Sequence, residues 1–361
     1  MNSTNKFRKN DSASANTIDA PQDERKIHFE HSYDSCLIVL AVFIILINIL
    51  VPVLFVRNRF LRTKTNMLLV SLAIADLVMG FIGIPMFITC NAFYQFPSYA
   101  GVCFTAAVVY RFIAVSTIFH IFAITIERYI AVSYPFNYVV WVNMRRLRIV
   151  IASIWVGSLL MALVQLSWQD YSGDFQTVDP IQQRAGLIYN LIGVFVCFVI
   201  PLAAMIFIYC RMFMIIRKQI KIIKQQSVTG HQGNCQPLSS ERRAITIFAL
   251  MLGIFTTCWL TWYMALMSNY LDILYFQIPE RLYDVFDFLR FSTSFINPVL
   301  YTFLKGDFRK ALFSLISSIC ERFRFKRRKS TTSNSTNGFS TVVRYKGDEE
   351  LSDERKKLTS V

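Results

Sequence analysis

The chain has 361 residues, 54% of them hydrophobic and only 17% charged, with a formal net charge of +15. A soluble protein of that length would carry about a quarter of its residues as charges, so an ordinary soluble fold is excluded and lipid is the expected solvent. The surplus of Lys and Arg reads as a topological signature and an attraction to anionic lipid, and nucleic-acid binding is set aside.

Residues 1–34 form a polar leader that the topology below places outside the cell. Asn2-Ser3-Thr4 and Asn10-Asp11-Ser12 are glycosylation sequons, although so short a pattern also arises by chance. No cationic segment followed by an apolar core opens the chain, so the first span is expected to target it. Apolar runs then follow at Leu37 to Val56, Met67 to Ile88, Val102 to Val132, Leu147 to Leu166, Ala185 to Ile216, Ala244 to Met267 and Leu282 to Leu304. A spanning segment must satisfy its own backbone polar groups, so runs of about 20 residues without strand-like alternation are predicted as helices. The expected fold is an all-α membrane protein, a seven-transmembrane helix bundle over residues 35–306.

Charge in the short connections sets the orientation, because Lys and Arg stay on the cytoplasmic side. Arg57, Arg59, Arg62 and Lys64 follow the first span, Arg145, Arg146 and Arg148 the third, and Arg217, Lys218, Lys221 and Lys224 the fifth. The opposite connections are neutral between Cys90 and Cys103 and otherwise carry mainly Asp170, Asp174, Asp179, Asp272 and Glu280. The predicted orientation is a plasma-membrane protein with its N-terminus outside and its C-terminus in the cytoplasm.

Polar side chains inside apolar spans are costly and mark function unless they pair or face a wet cavity. Asn48, Asp76, Thr117, Ser294 and Asn297 can converge into one hydrated cluster at mid-membrane. Asn and Ser at that depth also serve as interhelical glue, but a lone carboxylate such as Asp76 asks for a proton or a cation, sodium being the candidate. His120 is a lone intramembrane histidine with no nearby metal-ligand partner, so neither a metal site nor an enzyme is expected.

The third run ends Glu127-Arg128-Tyr129 and continues Ile-Ala-Val-Ser-Tyr-Pro135. Asn48, Leu72-Ala73-Ile74-Ala75-Asp76, Trp155, Pro201, Tyr209 and Asn297-Pro298-Val299-Leu300-Tyr301 stand in their own spans, and Phe303 and Asp307-Phe308-Arg309 follow the last. This ordered set resembles the class A, rhodopsin-like G protein-coupled receptors, from about Leu37 to Cys320. The segment Arg57 to Gly80 is similar to amine, adenosine and melatonin receptors without choosing among them.

The resemblance implies a receptor that couples an extracellular, small-molecule ligand to nucleotide exchange on a heterotrimeric G protein. In such receptors Arg128 would be restrained by Glu127 and by Glu241 at the foot of the sixth helix, and outward movement of that helix would open a cavity for a G protein helix. Tyr209 and Tyr301 match the tyrosines that approach Arg128 on activation. Ile118, Pro201 and Phe255 match a core relay, and Trp259 a toggle below the ligand; core packing alone would also account for Ile118 and Phe255. Trp262, Tyr263 and Tyr283 match pocket-facing positions. Residues 307–320 would form a short amphipathic eighth helix, and 321–361 a cytoplasmic tail.

The chain also departs from that pattern. Thr261 stands where most of the family has proline, so any bend there would come from its hydroxyl bonding to the preceding turn. Cys103 matches a disulfide cysteine, but Trp168 to Gly186 contains no partner; Cys36, Cys90 or a free thiol remain open. Tyr110 occupies the place of the amine-binding aspartate, and Phe291 that of the retinal lysine, which disfavours an opsin. Arg111, Asp284, Asp287 and Arg290 gather near the outer ends of the third and seventh helices. They read either as an interhelical ion pair of Arg111 or Arg290 with Asp287, or as anchors for a polar ligand.

Cys320 precedes a basic stretch, Arg322 to Lys329, a setting for palmitoylation, a free thiol being the other reading. Ser330 to Ser335, Ser340 and Thr341 suit receptor-kinase and arrestin control. Thr359-Ser360-Val361 suits a PDZ groove. A transporter or channel, or a receptor-like partner that never signals, are the competing functions; against the first stands the lack of an internal repeat or a pair of broken helices.

Overall fold

The computed structural model describes residues 31–93, 100–167, 180–228, 236–271 and 279–335. Their packing falls into two compact units divided between Arg309 and Lys310, and the bundle is the first of them. Its helices are α1 (His31–Arg57), α2 (Lys64–Phe93), α3 (Ala100–Ser133), α4 (Met144–Leu163), α5 (Pro180–Val194, continuing as Ile200–Val228), α6 (Gln236–Leu271) and α7 (Glu280–Leu304). A further helix, α8, runs Gly306–Ser335 and extends beyond the 307–320 stretch expected from sequence.

Six of the described helices are long and apolar enough to cross a membrane. The seventh, α7, is 25 residues long, about 37 Å at 1.5 Å per residue, and carries Asp284, Asp287 and Arg290 in its first half. It packs against α6, α1 and α2, while α3 runs through the middle and touches α2, α4, α5 and α6. The outward faces present Phe43, Leu46, Ile149, Leu160, Phe207 and Met264 as exposed apolar side chains. Only lipid solvates such a surface without penalty.

Helix starts follow local chemistry. The Thr63 hydroxyl accepts from the Asn66 N–H and caps α2, and the Asn143 side chain accepts from the Arg146 N–H at 2.8 Å and caps α4. A short helix, Pro135–Trp141, joins α3 to α4 with its proline in the first turn, where the missing N–H costs nothing.

Two helices share one irregularity. In α2 a wide π turn at Met79–Gly83 comes just before Pro85, and in α5 a π turn at Phe195–Val199 comes just before Pro201. Each proline has no N–H for the carbonyl four residues back, Phe81 or Cys197, and both of those carbonyls lie inside the wide turn. The extra residue takes up the proline's steric demand without breaking the helix. In α6 the Thr261 hydroxyl donates back to the carbonyls of Cys258 (3.0 Å) and Thr257 (3.2 Å), the bond expected of a threonine standing where a proline might have been.

Candidate functional site

The candidate residues fall in three layers along α3. At the end of α3, Arg128 grips its neighbour Glu127 with two N–H groups, Nε to Oε2 and Nη2 to Oε1, both at 2.7 Å. The Thr65 hydroxyl of α2 donates to Oε2 at 3.0 Å, and the Tyr138 hydroxyl, from the short helix after α3, donates to Oε1 at 2.5 Å. Arg128 Nη2 also donates to Thr65, and Lys64 sits 4.3 Å over the Tyr138 ring. Charge-assisted, two-point pairing of this kind is the stronger class of hydrogen bond. The layer opens on a cavity of about 490 Å³ whose rim carries Arg62, Lys64, Arg128, Arg243 and Lys305. Tyr129 packs beside the cluster of Val132, Met212, Ile216 and Ile245 and meets the Tyr134 ring edge-on. Glu241 belongs to α6, but its side chain lies outside the described residues.

The middle layer is polar and buried. Asn48 donates to the carbonyls of Ile44 and Ser294, both at 2.9 Å, which ties α1 to α7. Asp76 is wholly buried with Ser294 and Asn297 beside it, yet neither carboxylate oxygen closes a hydrogen bond of full geometry. Asn48 Oδ1, Asn297 Nδ2 and the Tyr301 hydroxyl are likewise buried without a partner. Buried polar groups are costly in lipid, so such a concentration at one level of the bundle is uncommon. Thr117 is buried at a neighbouring level of α3. Pro298 lies inside α7, and the Tyr301 ring meets Phe308 at 5.6 Å in a tilted arrangement. Tyr209 meets Thr125 of α3 at 3.1 Å.

Sequence reading missed a second buried network in this layer. His120 Nε2 meets the Ser71 hydroxyl at 2.8 Å, its Nδ1 meets the Ser116 carbonyl at 2.7 Å, and Trp155 Nε1 donates to Ser71 at 2.9 Å. Ser71, His120 and Trp155 stand on three different helices, so the sequence gave no local signal of the network; the Trp155 to Ser71 contact spans 84 residues. Among the described residues no group of three or more His, Cys, Asp or Glu is placed to hold a metal.

Toward the Cys103 end lies an aromatic cluster. Ile118, Phe198, Met205, Phe255, Trp259 and Tyr263 form one core cluster with Trp262 packed against it, and Pro201 is buried nearby in α5. Phe255 stacks on Trp259 at 5.6 Å. The Tyr110 hydroxyl donates to the carbonyl of Gly83, in the π turn of α2, at 3.0 Å, and its ring meets Phe291 and Phe87. Tyr283 is half-buried on the first turns of α7.

Arg290 pairs with Asp287 three residues earlier, so this ion pair lies within α7. An interhelical pair was one expectation; the i, i+3 spacing puts the two side chains on one helix face and makes the local pair shorter. Arg111 instead bridges α3 to α5, donating to Asn190 at 2.5 Å and lying 4.6 Å over Tyr189. Cys90 and Cys103 are disulfide-bonded, which joins α2 to α3, and Cys36 is free. Cys320 is an exposed free thiol. Asn2, Asn10, Ser340, Thr341 and residues 359–361 lie outside the described residues, as do the side chains of 330–335.

The family model described as 7 transmembrane receptor (rhodopsin family) matches residues 47–301. The chain is 30% identical to the histamine H2 receptor of Canis lupus familiaris, over 76% of this chain and 77% of that one. It is 29% identical to adenosine receptor A2b of Gallus gallus, over 78% and 87%, and 27% identical to the D(1A) dopamine receptor of Didelphis virginiana, over 82% and 77%.

Proposed function

Because this chain belongs to the rhodopsin family of seven-transmembrane receptors, we propose that it couples a small extracellular ligand to nucleotide exchange on a heterotrimeric G protein. The observation that carries this reading is Arg128, held by Glu127 and Thr65 at the rim of a basic cavity between helix ends. A guanidinium restrained by a few charge-assisted bonds is a two-state element: released, it offers donors to the carbonyls at the end of an incoming helix. The names of the relatives, histamine, adenosine and dopamine receptors, support a small ligand, and the cluster of Tyr110, Trp259, Trp262 and Tyr263 supplies aromatic walls for one.

The chain sits in the plasma membrane with its N-terminus outside and the Arg128 end facing the cytoplasm, following the Lys and Arg of its connections. At mid-membrane, Asp76 with Ser294 and Asn297 offers hard oxygen ligands suited to a sodium ion, which would supply the positive charge that the buried carboxylate lacks. Arrestin and a receptor kinase act on the tail, a PDZ domain takes Thr359-Ser360-Val361, and Cys320 carries a palmitoyl chain on α8.

Guanine-nucleotide exchange measured on a panel of G proteins, with Arg128→Ala as control, tests the reading. Exchange in the wild type that disappears in Arg128→Ala at equal surface expression is the expected result. Exchange on no member of the panel would leave a transporter or a silent partner protein.

A further inference from the structure

Two arginines stand near the Cys103 end, and one of them, Arg290, is only partly satisfied by the bundle. Arg290 is 2% exposed. One of its nitrogens, Nη2, reaches Asp287, while Nε and Nη1 are buried without a hydrogen-bond partner. Its guanidinium lies 4.5 Å from the Trp262 ring centre, 5.0 Å from Tyr110 and 5.9 Å from Trp259, so the unpaired N–H groups open among aromatic faces. Arg111 has the neutral amide of Asn190 and the Tyr189 ring as its polar contacts and no carboxylate among the described residues. Tyr263 stands within electrostatic reach of both guanidinium groups.

We propose that the aromatic cluster between α3, α6 and α7 recognises an organic anion, a carboxylate carried on an aromatic body, with Arg290 and Arg111 as its clamps. The inference rests on the receptor reading above and deepens it by naming the ligand class. A buried charged fork with unmade hydrogen bonds is costly in low dielectric, and an entering carboxylate relieves that cost by supplying acceptors in the planar, two-point geometry that guanidinium fits. Trp262, Trp259 and Tyr263 would pack the ring of the same ligand. Asp287 offsets one of the two arginines, and Arg111 has no carboxylate against it among the described residues, so the positive charge nearest the aromatic faces favours an anion over an ammonium group.

The test uses the full-length receptor in lipid nanodiscs and a series of aromatic carboxylates, each with its amide and amine counterpart, indole-3-acetate, indole-3-acetamide and tryptamine among them. Binding is read as a ligand-dependent rise in melting temperature and by titration. The expected result is binding by acids of the series and not by their amides or amines, weakened about tenfold or more in Arg290→Gln, as loss of a hydrogen bond to a charged group implies, and also weakened in Arg111→Gln. Arg184→Gln, an exposed arginine at the start of α5, controls for loss of general positive charge and retains acid binding. If Arg290→Gln does not fold, Arg290→Lys is read in its place; it keeps the charge, loses the fork and should still bind acids less tightly. Preference for amines or amides, acid binding unchanged in the Arg290 variant, or no acid binding at all would overturn the proposal. Nucleotide exchange is followed in parallel: acid binding without exchange sinks the coupling reading alone, and exchange without acid binding sinks this one alone.

Discussion

Trp155 donates its indole N–H to the hydroxyl of Ser71 at 2.9 Å, and through it α4 is tied to α2. Ser71 also meets His120 of α3, so three helices share one buried hydroxyl. Ser71→Ala leaves the indole N–H and the imidazole facing carbon, and an unmade buried hydrogen bond costs about 1–3 kcal/mol. Thermal unfolding should show a lower midpoint for Ser71→Ala. In a double-mutant cycle, Trp155→Phe should cost less in the Ser71→Ala background than in the wild type; strict additivity would show that the bond carries no weight.

If the receptor reading holds, the grip on Arg128 is the contact expected to set resting activity. Glu127→Gln keeps the shape of the side chain but removes the charge that Arg128 holds at two points, and hydrogen bonds to charged groups contribute about 1.5–3 kcal/mol. Basal nucleotide exchange should rise by about tenfold or more in Glu127→Gln, and by less in Tyr138→Phe, which removes a single donor to Glu127. Basal exchange at the wild-type level in both variants, at matched surface expression, would show that this cluster restrains nothing.

Gly80 marks the close approach of α2 to α1. A Cβ there would lie 2.9 Å from Ile45 Cγ1, 3.1 Å from Ile44 Cγ2 and 3.3 Å from the Ala41 carbonyl oxygen. The backbone atom cannot yield as a side chain does, and overpacking a fitted interface costs about 1–3 kcal/mol. Gly80→Ala should lower the unfolding midpoint, whereas Gly157→Ala, where an added Cβ meets nothing within 4 Å, should not. Equal midpoints for the two variants would contradict the packing.

Peptide mapping without reduction should recover Cys90 joined to Cys103, with Cys36 fully alkylated. Cys90→Ser should destabilise the receptor by about 2–4 kcal/mol, as for other native disulfides. Recovery of Cys103 with Cys36, or of Cys103 as a free thiol, would refute the pairing.

The spans and the family pattern were legible in the sequence because both depend on local rules. Twenty apolar residues must form a helix in lipid, and Arg128, Asp76 and Asn297 stand in an order that few chains share. Contacts that close across the bundle left no such trace. Cys103 had three open fates until α2 and α3 were set side by side, and nothing near Glu127 in sequence names Thr65, 62 residues away. Tyr138 was closer, 11 residues on, but only a short helix after Pro135 turns it back toward Glu127. The charges of α7 pointed both to an interhelical bridge and to a ligand anchor; i, i+3 geometry settled the partner of Asp287 and left the unpaired face of Arg290 to be seen only in three dimensions.

The π turn in α2 is also a counting device. One surplus residue advances the azimuth of everything beyond it by about 100°. Cys90 lies past that turn, two helical turns from Gly83, so its aim at Cys103 depends on a residue that a regular helix would not contain. Removing one residue between Met79 and Gly83 would leave the length of the span almost unchanged, yet it would swing Cys90 away from α3. A chain aligned to this one without that residue would therefore have a different set of α2 side chains facing α3, even where the letters match.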